Sequence, residues 1–348
     1  MNIREAFALQ AKACAELGSP FMAQLLTVIG ERMQPGSAVA DRILNWKGDV
    51  SPFGQSVPLR LAGALHALVL SGDPLKAVYP PNQSDCETLW RAVHNAFARE
   101  SDRILEFLKS PPQTNEVRRA AAIVPALHAV AARFRRPIIL VEIGCSGGLN
   151  LRADQFLVRA RSAELGPQSS PAHITPNWSG AVPTVTTPEV IDRIGVDINP
   201  LNPTDPNDAE RLLAYLWPDQ PDRIGRTRAA ITLADENPAR IVTADASEWL
   251  ATGLDDLNPE AVVFLFHTIA WQYLPEDRRR IGEAHLARAG AARRANAPLV
   301  RFAMEADGGT GAGLSLTVWP SGKTIPLGRA DFHGRWIEWF PSDLSEID

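Results

Sequence analysis

The stretch Pro137–Asn150, PIILVEIGCSGGLN, constrains this chain more than any other. Ile138 to Ile143 is a largely β-branched apolar run, broken only by Glu142, of the kind that forms a strand buried on both faces. The small residues Gly144-Cys145-Ser146-Gly147-Gly148 then predict a tight turn that admits a ligand or another backbone closely. If a helix follows, its first N–H groups are unpaired, and strand, turn and helix together make an anion site.

Two chemistries share these residues. As Glu142-x-Gly144-x-Ser146-x-Gly148 the stretch resembles the acidic glycine-rich first motif of class I S-adenosylmethionine (SAM)-dependent methyltransferases, with Ser146 at the middle glycine. As Gly144-x-Ser146-x-Gly148 it matches the nucleophile elbow of α/β-hydrolases. A tight β-to-α turn with no ligand is the third reading.

Composition removes other classes. A chain of 348 residues with 45% apolar and 22% charged residues can bury a large core, and its length suggests two domains. A net charge of −5 lacks the basic footprint of a nucleic-acid binder, and Arg278-Arg279-Arg280 and Arg293-Arg294 read as a solvated helix face and end. Cys14, Cys86 and Cys145 form no C-x-x-C pair and the histidines no H-x-x-x-H pair, so neither zinc nor a disulfide framework is expected. The N-terminus MNIREAFALQ has no apolar signal core, and no window reaches the ~18 apolar residues of a membrane span. A cytoplasmic protein with no membrane partner is expected.

Residues 1–135 carry helical periodicity throughout, with candidate helices at 3–17, 20–33, 38–46, 57–70, 85–108 and 115–134 separated by Gly/Pro/Asn clusters. An all-α N-terminal domain is expected there. His66, His94 and His128 sit among apolar helical neighbours and read as core or partly exposed histidines, while Asp49, Phe53 and Tyr79 are loop residues available to a substrate.

Residues 136–348 switch to strands alternating with helices, which implies a mostly parallel sheet covered on both faces. Residues 166–188, rich in Pro, Ser and Thr, read as an irregular or hairpin insertion. Further strands are expected at 193–198, 239–243, 261–266 and 299–304. Their carboxyl ends deliver Asp197, Asp245-Ala246, His267 and Glu305 to the edge where open α/β sheets bind ligands. An acid at the tip of the second strand can accept both ribose hydroxyls of a nucleoside, and one at the third can take an adenine amino group beside a small Ala246. Capping of a turn or helix is the competing role for both acids. The chain ends in an antiparallel pair, 314–319 and 334–339, turning at Pro320-Ser321-Gly322-Lys323.

In this order the motifs resemble a class I methyltransferase. The segments VEIGCSGGLNLRAD (141–154), GVDINPL (195–201), YLWPDQPDR (215–223), FHTIAWQYLP (266–275) and FHGRWIEW (332–339) further resemble a bacterial domain-of-unknown-function family with a helical N-terminal half and a methyltransferase-like core. The methyltransferase resemblance implies SAM as cofactor. Glu142 would then orient the turn, Gly144 and Gly148 would admit the cofactor with Ser146 between them, Asp197 would take the ribose, and Asp245 with Ala246 the adenine. Methyl transfer needs in-line positioning and removal of a proton from an O–H or N–H acceptor. His267 or His333 would be that base, and Glu305 would hold the acceptor, a small molecule.

Three rivals remain at this stage. A serine hydrolase would use Ser146 with Asp245 or Asp307 and His333, although about 135 helical residues precede its elbow. A nicotinamide enzyme would need a G-x-G-x-x-G spacing that Ser146 breaks. A non-catalytic nucleotide-binding or scaffold protein would keep the fold without turnover.

Overall fold

The computed structural model describes residues 1–341 and divides into two compact units, Met1–Thr114 with Asp205–Gly225, and Asn115–Thr204 with the chain from Arg226 on. The boundary expected at residue 135 is therefore displaced. Helix α7 (Ala120–Phe134) shares an apolar core with the strands of the second unit, whereas α8 (Pro206–Ala214) packs on a helix of the first.

The first unit is helical, as its periodicity predicts. It contains α1 (Ile3–Glu16), α2 (Pro20–Arg32), α3 (Ala38–Leu44), α4 (Val57–Leu70), α5 (Cys86–Arg99) and α6 (Ser101–Phe107). The ends are capped as the sequence implies: Asn2 and Glu5 form a reciprocal capping box on α1, and the Asp85 carboxylate accepts the Thr88 N–H at the start of α5. The single helix expected at 85–108 breaks at Glu100, so that α5 buries Leu89, Val93 and Phe97 while α6 buries Ile104 on its own axis. Segment 205–225 returns to this unit through two anchors. The His66 ring is hydrogen-bonded through Nδ1 to the Ala214 carbonyl (3.1 Å), and Asp219 accepts the Ser19 hydroxyl (2.5 Å) and the Phe21 N–H (2.9 Å) at the start of α2. Tyr79 is fully buried 4.7 Å from Phe21 and faces no solvent, whereas Phe53 is exposed.

The second unit is built on β1 (Ile138–Ile143). A crossover insertion supplies β2 (Leu157–Ala160), β3 (Ala163–Leu165) and β4 (His173–Ile174), which form a small sheet of their own, and β5 (Asn177–Gly180). The remaining strands are β6 (Val190–Asp197), β7 (Arg240–Thr243), β8 (Val262–Thr268), β9 (Leu299–Ala306), β10 (Ala312–Trp319), β11 (Lys323–Ala330) and β12 (Trp336–Trp339). Helices α9 (Pro221–Glu236), α10 (Ala246–Trp249) and α11 (Glu276–Ala291) intervene. The main sheet runs β5-β12-β11-β10-β9-β8-β1-β6-β7, with β7-β6-β1-β8-β9 parallel and β9 through β12 antiparallel. This is a mixed α/β sheet.

Two differences from expectation have local causes. The insertion folds into strands, and β5 crosses to pair with β12 at the far edge of the main sheet. The partner of β10 is β11, not the segment at 334–339. Pro326 and Gly328 hide β11 from a strand reading, and the ladder is irregular between Leu314 and Ser315.

Alternation along β1 splits the core. Ile138 and Leu140 join the cluster containing α7, while Ile139, Val141 and Ile143 join Leu250 and Leu286 on the opposite face. In β8, Phe264 is fully buried and stacks on Phe302 at 6.2 Å. Phe264→Ala should cost about 3–5 kcal/mol in urea unfolding. His128 of α7 is buried and accepts the Thr186 N–H at Nδ1 (3.1 Å), and burial pushes its pKa down to about 4. Because that value lies below that of free histidine, stability is full above pH 6.5 and falls toward pH 4. Lowering the pH from 7 to 4.5 should cost about 2 kcal/mol in the wild type through this group, a loss absent in His128→Gln.

Candidate functional site

The parallel strands reverse their direction of winding between β1 and β8, so their carboxyl ends frame the crevice where open α/β sheets take ligands. On the β1 side the chain enters a left-handed turn, with φ of +69° at Gly144, +53° at Ser146 and +62° at Gly148. A side chain on Gly144 would bring its Cβ to 2.7 Å from that of Ala270, so this glycine is required by the neighbouring loop as well as by any ligand. The Asp197 carboxylate, at the tip of β6, accepts the Ser146 N–H (2.8 Å) through one oxygen and the Asn199 N–H (2.9 Å) through the other. It thereby ties the tips of β1 and β6 together.

The turn is supported from beneath. Arg152, buried, donates to the carbonyls of Gly148 (2.7 Å), Asn237 (2.8 Å) and Ala234 (3.2 Å), and Asn115 accepts the Leu149 N–H (2.7 Å). The helix expected after the turn is a 3-10 segment, Leu149–Gln155. Glu142 lies under the turn, not on its surface. It is 3% exposed, and burial holds its carboxyl well above the usual range despite Arg152 nearby. Among the described residues its Oε2 is buried without a hydrogen-bond partner.

Asp245 caps α10, accepting the N–H groups of Ser247 (2.9 Å) and Glu248 (3.2 Å), with Ala246 as the first helical residue. The Ser247 hydroxyl and these N–H groups hold its carboxyl below the usual range, and Arg278 lies 4.0 Å away. The capping role is realised here, and the carboxyl remains partly exposed.

On the β8 side, His267 and Glu305 are brought together from adjacent strand tips. The imidazole Nδ1 lies 2.7 Å from Glu305 Oε1, the same oxygen accepts the N–H groups of Ala270 (3.0 Å) and Trp271 (3.1 Å), and Oε2 accepts that of Gln272 (3.3 Å). Burial alone would raise the Glu305 pKa, but the His267 hydrogen bond and the loop N–H groups outweigh it and leave the carboxylate below its usual range. An ionised Glu305 makes Nδ1 the protonated nitrogen of neutral His267 and leaves Nε2 as acceptor; Nε2 is buried without a partner. Ring stacking on Trp271 at 5.1 Å completes the enclosure. The loop that supplies the three N–H groups passes through Ile269 at φ +51°, a conformation strained for a β-branched residue.

Within the chain the Glu305 carboxylate is engaged by the His267 ring and three loop N–H groups. It orients His267 and closes the loop. That role was hidden because three of the partners are backbone N–H groups 33–35 residues away, which leave no side-chain signature. His333 lies in a different loop, its N–H donating to Asp331. Arg119, which periodicity alone did not single out, links the two loops by donating to the carbonyls of Thr268 (3.0 Å) and Phe332 (3.0 Å).

The hydrolase constellation is not assembled. Among the described residues the Ser146 hydroxyl is buried with no hydrogen-bond partner, Asp307 pairs with Arg329, and Asp245 caps its helix, with no histidine shown on either acid. Among the described residues no group of three or more His, Cys, Asp or Glu side chains could hold a metal, and no helix is long and apolar enough to cross a membrane. Glu305→Ala, which leaves His267 and three N–H groups without their acceptor, should cost about 3 kcal/mol in urea unfolding. With Glu305→Gln, which retains one acceptor oxygen, a smaller loss is expected.

No curated protein matches the chain. Residues 4–339 match the model of a family described as an uncharacterized protein conserved in bacteria, DUF2332. With nearly its whole length matched, the chain belongs to this bacterial family.

Proposed function

We propose that the second unit binds SAM at the carboxyl ends of β1, β6 and β7 and serves methyl transfer to a small molecule. The observation that carries this reading is the union of Asp197 with the Ser146 N–H at the tips of β1 and β6, in a parallel order β7-β6-β1-β8-β9 that corresponds to the 3-2-1-4-5 winding of nucleotide-binding sheets. Each Asp197 oxygen accepts one N–H, and a carboxylate oxygen can take a second donor, so a ribose diol fits the lone pairs that remain. Ile198, 74% exposed beside it, offers an apolar face to a purine. The Asp197, Asp245 and Glu305 carboxylates along one edge suit a cation.

When bound, the cofactor supplies a methyl group activated by a sulfonium. The chain's own tasks are then to hold the donor, exclude water and accept a proton. His267, oriented by Glu305, is the group fitted to take a proton from an O–H or N–H acceptor at Nε2. Nε2 is shielded from solvent, so an acceptor reaches it only after local movement of the residues around it.

Isothermal titration with SAM and S-adenosylhomocysteine tests the reading. Saturable binding is expected, and Asp197→Ala should weaken it by about 1–3 kcal/mol. Wild-type protein that takes up neither compound, or a folded Asp197→Ala variant with unchanged affinity, would overturn it. Ser146→Ala should leave affinity nearly intact.

A further inference from the structure

Three arginines of the first unit converge with no carboxylate between them. The Cζ of Arg42 lies 4.3 Å from the centre of the Trp46 ring and that of Arg60 5.5 Å from the same ring. Arg60 is buried and donates through Nε to the Gln55 carbonyl (2.7 Å) and through Nη1 to those of Leu108 (3.0 Å) and Lys109 (3.1 Å). These partners fix the guanidinium in place but carry no formal charge. Arg211, from α8, lies 5.6 Å over Phe107, whose ring is 5.5 Å from Tyr215. Gly63 makes room for that tyrosine, since a Cβ there would stand 2.6 Å from its ring.

The cluster is electrostatically incomplete. Burial lowers the Arg60 pKa, the Tyr215 hydroxyl opposes that shift, and Arg211 and Arg42 add to it by repulsion. Among the described residues none of the three arginines forms an ion pair, in a chain whose net charge is −5. Arg211 Nε is buried without a partner, and the hydroxyl of Tyr215, a residue only 7% exposed, has the Arg211 guanidinium beside it. Like charges gathered in a partly desolvated place, with donors unfilled, repel one another, and an anion among them would relieve that cost.

We propose that Arg42, Arg60, Arg211 and the Tyr215 hydroxyl bind a phosphate group. Planar guanidinium donors match the oxygens of a tetrahedral oxyanion, and three cations call for a dianion where a lone carboxylate would neutralise only one. The aromatic walls Trp46 and Phe107 suit a phosphate carried on an organic body. This site is independent of methyl transfer. It also accounts for Tyr215, which the methyl-transfer reading leaves without a task.

The test is calorimetric titration of the full chain with inorganic phosphate and with phenyl phosphate, at constant ionic strength set by chloride. Saturable binding is expected. Arg211→Met and Tyr215→Phe should each weaken it about tenfold. Arg42→Gln, at an exposed side chain with no hydrogen bond among the described residues, should weaken it without disturbing the fold. Tighter binding of phenyl phosphate would identify a phosphomonoester ligand, and equal binding free phosphate; both support the site. No saturable heat with either anion, or unchanged affinity in folded Arg42→Gln and Tyr215→Phe, would overturn it.

Discussion

The Asp197 carboxylate is the tie on which the carboxyl edge of the parallel strands in the second unit depends. One oxygen holds the Ser146 N–H and the other the Asn199 N–H, so the turn after β1 and the exit from β6 are fixed by a single side chain. The tie works because Ser146 accepts a left-handed backbone and because Gly144 allows Ala270 to approach from the β8 side. Enlarge Gly144 and the 268–273 loop must move. The donors of that loop are in turn gathered by Glu305, so a glycine on one strand and a carboxylate on another constrain the same segment.

Charge is arranged in layers below and at this edge. Glu142, sealed beneath the turn, is held toward its neutral form by burial, whereas Glu305 and Asp245 are held ionised by the donors around them. The ionised carboxylates give the edge its negative character. Two loops that strand tips alone would leave apart are joined by Arg119, which donates to a carbonyl in each.

Much of this was legible in the sequence, for physical reasons that differ by element. Among the parallel strands β1 and β8 announced themselves because burial on both faces demands apolar runs, whereas β6 and β7, partly exposed, showed only short apolar stretches. Positions of Asp197, Asp245, His267 and Glu305 followed from where those runs stop. What they bond to did not, since the partners of Glu305 and Asp197 are mainly backbone N–H groups with no side-chain signature. The strand β11 was obscured by Pro326, and β5 by the polar insertion that carries it. The unit boundary was missed because α7 and α8 have ordinary helical patterns. Only tertiary contacts assign α7 to the sheet and α8, through Ala214 and Tyr215, to the helices.

Amide hydrogen exchange with and without S-adenosylhomocysteine tests most directly the proposal that the turn after β1 and the tip of β6 hold an adenosine-bearing ligand. Added protection is expected in 144–150 and 196–201, lost in Asp197→Ala. Protection confined to other segments, or none at saturating ligand, would contradict it.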